Sequence, residues 1–285
     1  MFMHRRDFIR IAALAGLGLG LNSSQALAQL AMLSPVEPAP ADDVRMRDYF
    51  EKMRNFEKAH PDDVYVDAEE LPVLHACSQR LGLVEAVMGY GFFHLLSFDD
   101  ALICSRNYER VGAFTKPEIG FMEKIFYQDA RVYGFLGDKP LKNLTHSVPR
   151  NEVVRIASTG NFLHRGDSFE AYQKIRKSVG NRVVLTSGVR GIMKQFRLFL
   201  NKAAQNNGNL SVASRQVAPP GYSYHGFNDF DVGQPGFGDL NFTERFTTTD
   251  AYRRMADLGY LNLRYPRDNM LGVRYEPWHI MVSDA

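Results

Sequence analysis

Cysteine is nearly absent from this sequence: Cys77 and Cys104 are the only two in 285 residues. That excludes a disulfide-framed scaffold and an all-thiolate zinc site, which needs four. Tryptophan is scarcer still, with Trp278 alone. An excess of one charge is also missing, because 34 Lys+Arg stand against 32 Asp+Glu, a formal net charge of +2. So close a balance provides no field to hold nucleic acid or an anionic membrane. There is no internal repeat, and hence no solenoid. What remains is ordinary for a chain that folds around a core: 45% hydrophobic and 23% charged residues. Collagen-like and wholly disordered readings are excluded.

The N-terminus is built differently from the rest. His4-Arg5-Arg6-Asp7-Phe8-Ile9-Arg10 precedes an apolar run from Ile11 to Leu21, then Ala26-Leu27-Ala28. Basic head, apolar middle and small-x-small end are the three parts of a secretory signal. The paired arginines with Phe8 resemble the twin-arginine export signal. The apolar run has eleven residues, too few for a membrane span, which needs ~20. Residues 1–28 are therefore expected to direct export to the periplasm or cell envelope, and no span is expected in the mature chain. They also carry three arginines and one aspartate, the whole of the +2 excess. The remainder is formally neutral.

Residues 29–43 include Ser34 to Asp43, rich in Pro, Ala and acid, and read as an extended tether. Residues 44–150 read as a mainly helical region. Ser97 before Phe98-Asp99-Asp100 is a helix start, and Thr115-Lys116-Pro117-Glu118 is a capping box. Residues 151–285 mix short elements. Strands are predicted at Arg182–Thr186, Asp229–Val232, Leu261–Tyr265 and Val273–Val282, and helices at Ile192–Ala204 and Thr249–Leu258. Without regular strand–helix alternation, the pattern predicts an α+β fold with a small antiparallel sheet and flanking helices.

Two segments concentrate the chemistry. One is Ser223-Tyr224-His225-Gly226-Phe227-Asn228-Asp229-Phe230-Asp231-Val232-Gly233; the other is Tyr275-Glu276-Pro277-Trp278-His279. Two imidazoles and several carboxylates suit a catalytic zinc, which takes three protein ligands and leaves a position for water. These segments resemble the zinc D-alanyl-D-alanine carboxypeptidases of the VanY type, among the peptidoglycan-cleaving LAS metallopeptidases. The family pattern is Ser-x-His-x-x-Gly-x-Ala-x-Asp followed by Glu-x-Trp-His. Its upstream Ser-Gly-Tyr-Arg element, with Gln five residues later, is matched by Ser187-Gly188-Val189-Arg190 and Gln195. The resemblance covers residues 187–279.

The resemblance implies Zn2+ held by His225, Asp231 and His279. Glu276 would be the general base, and Arg190 would stabilise the oxyanion. Ser223 and Gln195 would belong to the substrate site, Ser223 near the terminal carboxylate. Substrates would be peptidoglycan stem peptides. One departure leaves the ligand set open. The family's first His and Asp differ by seven in number, whereas His225 and Asp231 differ by six, so Asp229 is a rival ligand. On a strand Asp229 and Asp231 share a face. Glu276 and His279, three apart, would fall on opposite faces of a regular strand, so the chain must bend between them, and Pro277 suits a break.

Other readings stay open. The same site would serve an endopeptidase that cuts cross-links, and a decayed site would serve as a non-catalytic wall-binding module. Cys77 and Cys104 could pair or remain free. His60, His75, His94, His146 and His164 have no partner motif, so packing or surface roles are expected for them.

Overall fold

The computed structural model describes residues 41–282. The expected export signal and most of the expected tether lie outside them. The tether's last three residues are not extended: helix α1 spans Ala41–Arg54. Lys52 and Arg54 in its last turn suit the helix dipole. No helix among the described residues is long and apolar enough to cross a membrane.

The helical region continues with α2 (Leu71–Met88), the short α3 (Tyr90–Phe93), α4 (Phe98–Asn107) and α5 (Lys116–Tyr127). In α2, Leu74, Cys77, Leu81 and Val84 are buried at spacings of three and four, one stripe of a helix. The Ser97 side chain accepts from the Asp100 N–H at the start of α4. The capping box forms at Thr115 and Glu118. Glu118 is buried and also receives Arg80 Nε at 2.8 Å, so its charge is not stranded. Cys77 and Cys104 are both buried and free, so the disulfide alternative falls.

From Asp48 onward the chain forms one compact unit. Strands β1 (Val153–Arg155) and β2 (Phe162–His164) pair as a hairpin. Helix α6 (Asp167–Val179) leads to β3 (Val184–Ser187), and α7 (Ile192–Gln205) and α8 (Leu210–Gln216) follow. Next come β4 (Phe230–Gly233), α9 (Asp250–Asp257) and β5 (His279–Ile280). β3, β4 and β5 form an antiparallel sheet with β4 in the middle. The architecture is α+β.

Two hydrophobic cores flank this sheet region. The larger contains Leu74, Phe126 and Tyr133 of the helical region together with Phe196, Phe199 and Leu200 of α7. The helical region thus shares a core with the motif-bearing part. The smaller core packs Tyr172, Ile175 and Val179 of α6 against Leu185, Phe230, Val232, Trp278 and Ile280. Alternation along β4 and β5 then turns Asp231 and His279 to the opposite face.

Two predicted strands are shorter than expected. Leu261–Tyr265 contributes only an isolated bridge, Leu263 to Ile280. Val273–Val282 keeps only the two residues of β5. Pro266 and Pro277 cannot donate to a ladder, and Asn269 holds a turn through the Pro266 and Val273 carbonyls. Gly272 sits at φ +76° with a virtual Cβ 2.0 Å from the Gly134 carbonyl oxygen, so only glycine fits there.

Candidate metal centre

A β-bulge starts the site. Leu185 pairs with Val232, but Asp231 pairs with Ser187 instead of Thr186. The extra residue in β3 turns Ser187 to the face of Asp231. Gly188 follows, so close to β2 that a Cβ would lie 1.9 Å from the Phe162 carbonyl oxygen. That close passage sets the Gly188 carbonyl, which lies 2.8 Å from His225 Nδ1. With Nδ1 donating there, His225 turns Nε2 towards Asp231 Oδ1, at 3.1 Å.

His279 is aimed in the same manner from the other side. Asp231 and His279 are cross-strand partners. The Asp229 carboxylate lies 3.0 Å from His279 Nε2. The opposite nitrogen, Nδ1, is 3.6 Å from Asp231 Oδ1 and 3.2 Å from Glu276 Oε2. Glu276 and His279 reach one point because Pro277 and Trp278 form a turn, closed by the His279 N–H on the Glu276 carbonyl. The expected break at Pro277 is therefore a turn leading into β5.

His225, Asp231 and His279 each present one ligand atom, all within 4.8 Å of one another, and all three are buried. The geometry separates the two aspartates. Asp231 stands between the imidazoles, while Asp229 lies behind His279 and also takes Arg264 Nε at 2.6 Å and the Val282 N–H. Both contact the same ring from opposite edges. A carboxylate and a backbone carbonyl behind the two ring nitrogens is the usual support of metal-binding histidines. A mixed nitrogen and oxygen donor set of this kind fits zinc.

The charges are mutually adjusted. Burial, helped by the Arg190 charge, holds the His225 imidazole neutral by pushing its pKa down. Burial alone would also lower His279, but hydrogen bonds to Asp229 and Glu276 outweigh it and raise the pKa to about 9. Asp229 is buried yet held at about 2, by the His279 ring and by Arg264. Asp231 is held well below the usual carboxylate range, against its burial, by His225 and Arg190.

The remaining predicted residues divide. Arg190 donates from Nη2 to Asp231 Oδ2 and from Nε to Ser187 Oγ at 2.9 Å, and it lines the cleft at the centre. Glu276 and Ser223 line the same cleft, whose volume is about 330 Å³. Gln195, expected from the resemblance at the substrate site, is not among the residues lining this cleft. It is 1% exposed, its Nε2 donates to the Arg190 carbonyl and its Oε1 accepts the Gly221 N–H. It ties the Arg190 loop to the loop carrying Ser223. The motif spacing is right, but the carboxamide is turned to the backbone.

Sequence reasoning missed several participants. Asp229 was visible as a rival ligand, not as a support. Its partner Arg264 and the cleft residues Tyr90, Lys194, Lys202, Tyr265 and Arg274 share no common motif. His94 is buried at the edge of this region, with neither ring nitrogen hydrogen-bonded, and burial pushes its pKa down to about 3. Tyr90 lies against its ring, with centroids 4.4 Å apart.

Comparison with known proteins agrees with the motif. Residues 165–282 match the family model described as VanY, D-alanyl-D-alanine carboxypeptidase. A search of the curated proteins returned no match. Among solved structures, the chain is similar to the LdcB LD-carboxypeptidase, whose report concerns peptidoglycan recognition. Identity is 18% and the TM-score 0.40, covering 47% of this chain and 69% of the other. The matched residues 165–282 carry every site residue expected from the motif, and they are similar to the D-alanyl-D-alanine carboxypeptidases that the VanY model describes.

Proposed function

We propose that this protein is an exported zinc peptidase that removes the terminal D-alanine from peptidoglycan stem peptides. The observation that carries this reading is the convergence of His225, Asp231 and His279 with Glu276 beside them, at the wall of an open cleft. His225 through Nε2, His279 through Nδ1 and a carboxylate oxygen of Asp231 would hold the metal. When bound there, zinc supplies Lewis acidity, polarising a carbonyl and lowering the pKa of a water from 15.7 to about 7.

The chain's own groups supply the rest. Glu276 is placed to take the proton of the attacking water and to return it to the leaving amine. One of its oxygens lies 3.2 Å from His279 Nδ1 and the other 4.0 Å from Arg274 Nε. Arg190 has used two of its five N–H groups, on Ser187 and Asp231. The others can meet the developing oxyanion, and a fixed cation aimed there is commonly a large catalytic contribution. Ser223 would donate to the terminal carboxylate of the peptide. Asp229 and the Gly188 carbonyl orient the two imidazoles.

Export rests on residues 1–28. It is tested by fractionating cells that express the full chain and a variant with Arg5 and Arg6 replaced by Lys. The wild type should reach the envelope, and the variant should remain inside.

The activity is tested by mass analysis of stem peptides and cross-linked muropeptides incubated with the zinc-loaded protein. Loss of one terminal alanine is the expected result. Loss of the cross-link instead would assign endopeptidase activity, and no change in any fragment would remove the peptidase reading.

A further inference from the structure

One uncharged group of the cleft comes from outside the motif and has no part in the chemistry above. Tyr90 lines the cleft together with Arg190, Asp231 and Glu276. It stands in α3, ahead of the matched residues 165–282. The helical region therefore contributes a side chain to the centre that the motif cannot supply.

The backbone around Tyr90 is closely packed. Gly91 passes the β1–β2 connection so tightly that a Cβ on it would lie 2.7 Å from the Gly160 carbonyl oxygen. Gly160, at φ +73°, leaves room for the phenol ring, because a Cβ there would lie 3.3 Å from Tyr90 Cδ1. Two glycines, one on each side of the contact, thus set where the ring stands.

The neighbours of Tyr90 place it beside Arg190. Its ring rests on His94, with centroids 4.4 Å apart, and the His94 carbonyl accepts the Gly191 N–H at 2.7 Å. Its hydroxyl donates to Asn161 Oδ1 at 3.5 Å, while Asn161 Nδ2 donates to the Thr186 carbonyl at 3.4 Å. Gly191 follows Arg190 in the chain, and Thr186 precedes Ser187, which accepts from Arg190 Nε. Arg190 and Asp231 accordingly act on the Tyr90 hydroxyl electrostatically, although partial burial is the largest influence and raises its pKa. The hydroxyl stays protonated, so Tyr90 adds no charge.

Despite these contacts Tyr90 is 49% exposed. A ring fixed by buried neighbours and half open at a cleft offers apolar surface at little cost in lost side-chain freedom. The groups given chemical roles are Arg190, Ser223, Glu276 and the three metal-binding residues, all of them polar. None of them can distinguish a methyl side chain from a hydrogen atom.

We propose that the ring of Tyr90 is a specificity-determining wall, which packs on a methyl side chain adjoining the bond to be cut and so selects alanine over glycine there. This inference rests on the peptidase reading. The selectivity is apolar and comes from the ring, while the hydroxyl serves to hold the ring through Asn161.

The test uses three otherwise identical peptides, ending in D-Ala-D-Ala, D-Ala-Gly and Gly-D-Ala. With the zinc-loaded full chain, kcat/KM should favour the methyl at one of the two positions by about fourfold, the scale of one buried methyl group. Tyr90→Ala should bring that ratio towards one and raise KM for D-Ala-D-Ala, with zinc affinity unchanged. Tyr90→Phe should keep the ratio. Phe92→Ala, in the same short helix, should keep it as well. A ratio unchanged in Tyr90→Ala, or a ratio of one in the wild type, would overturn the wall and leave the peptidase reading standing. A ratio lost equally in Phe92→Ala would overturn direct contact by Tyr90. In the zinc-loaded full-chain Glu276→Gln variant, calorimetric affinities should show the same preference without turnover, and adding Tyr90→Ala should remove it. If no peptide is cleaved the peptidase reading fails, and equal affinities or no binding in that calorimetry would overturn the wall separately.

Discussion

The two faces of the three-stranded sheet are drawn from alternate residues of the same strands, yet different forces hold them. On one face Phe230, Val232 and Ile280 pack with Trp278 against α6. On the other, Asp231 and His279 stand beside His225, each buried and each with polar partners. The apolar face needs only volume and shape, because burial is non-directional. The polar face needs each donor met by an acceptor, because a buried charge without a partner costs several kcal/mol. One strand can serve both because its period is two. A single-residue slip of β4 would exchange the faces, and the bulge at Leu185–Ser187 pins the register where the site needs it.

Substitutions on the two faces should therefore fail in different ways. The largest effect should follow Glu276→Gln, which would remove the proposed proton shuttle and leave the three proposed metal ligands in place. Hydrolysis should fall by about a hundredfold to ten-thousandfold, with zinc stoichiometry unchanged when protein-bound metal is measured. On the apolar face, Phe230→Ala should cost about 3–5 kcal/mol, read as a lower denaturation midpoint, while the folded fraction still binds zinc. Such a loss of metal with no loss of stability would break the contrast between the faces.

Smaller effects sharpen it. Asp229→Asn keeps the shape behind His279 and removes the charge, so zinc affinity should fall about 10- to 100-fold. Competition with a chromogenic chelator would measure this. A complete loss of metal would instead make Asp229 a ligand. The smallest effect should be that of Ser187→Ala, which removes one acceptor from Arg190. It should cost about 1 kcal/mol or less in transition-state stabilisation, seen in kcat/KM with zinc affinity unchanged.

Much of the centre was legible in the sequence because the chemistry is local there. Glu276-Pro277-Trp278-His279 carries its own bend, and His225 and Asp231 flank a single turn into β4. The α+β class and the helix starts at Ser97 and Thr115 were legible for the same reason, since caps act within one turn. What could not be read depends on tertiary packing. The missing residue in the His225–Asp231 spacing left two aspartates possible. Only the fold shows that they touch opposite edges of His279. Gln195 sits at the spacing of a substrate residue, but its neighbours are backbone groups brought in from residues 190 and 221. Strand lengths near the C-terminus were overestimated because Pro266, Pro277 and the Gly272 turn divide apolar segments that otherwise look continuous.

The central claim is that the polar face of the sheet is a metal site built from His225, Asp231 and His279, with Asp229 outside it. Anomalous X-ray scattering at the zinc absorption edge, from crystals of the zinc-loaded protein, tests it most directly. The account predicts one peak bounded by His225 Nε2, His279 Nδ1 and an oxygen of Asp231, with Glu276 alongside. A peak bound to Asp229 in place of Asp231, or no peak between the two imidazoles, would contradict it.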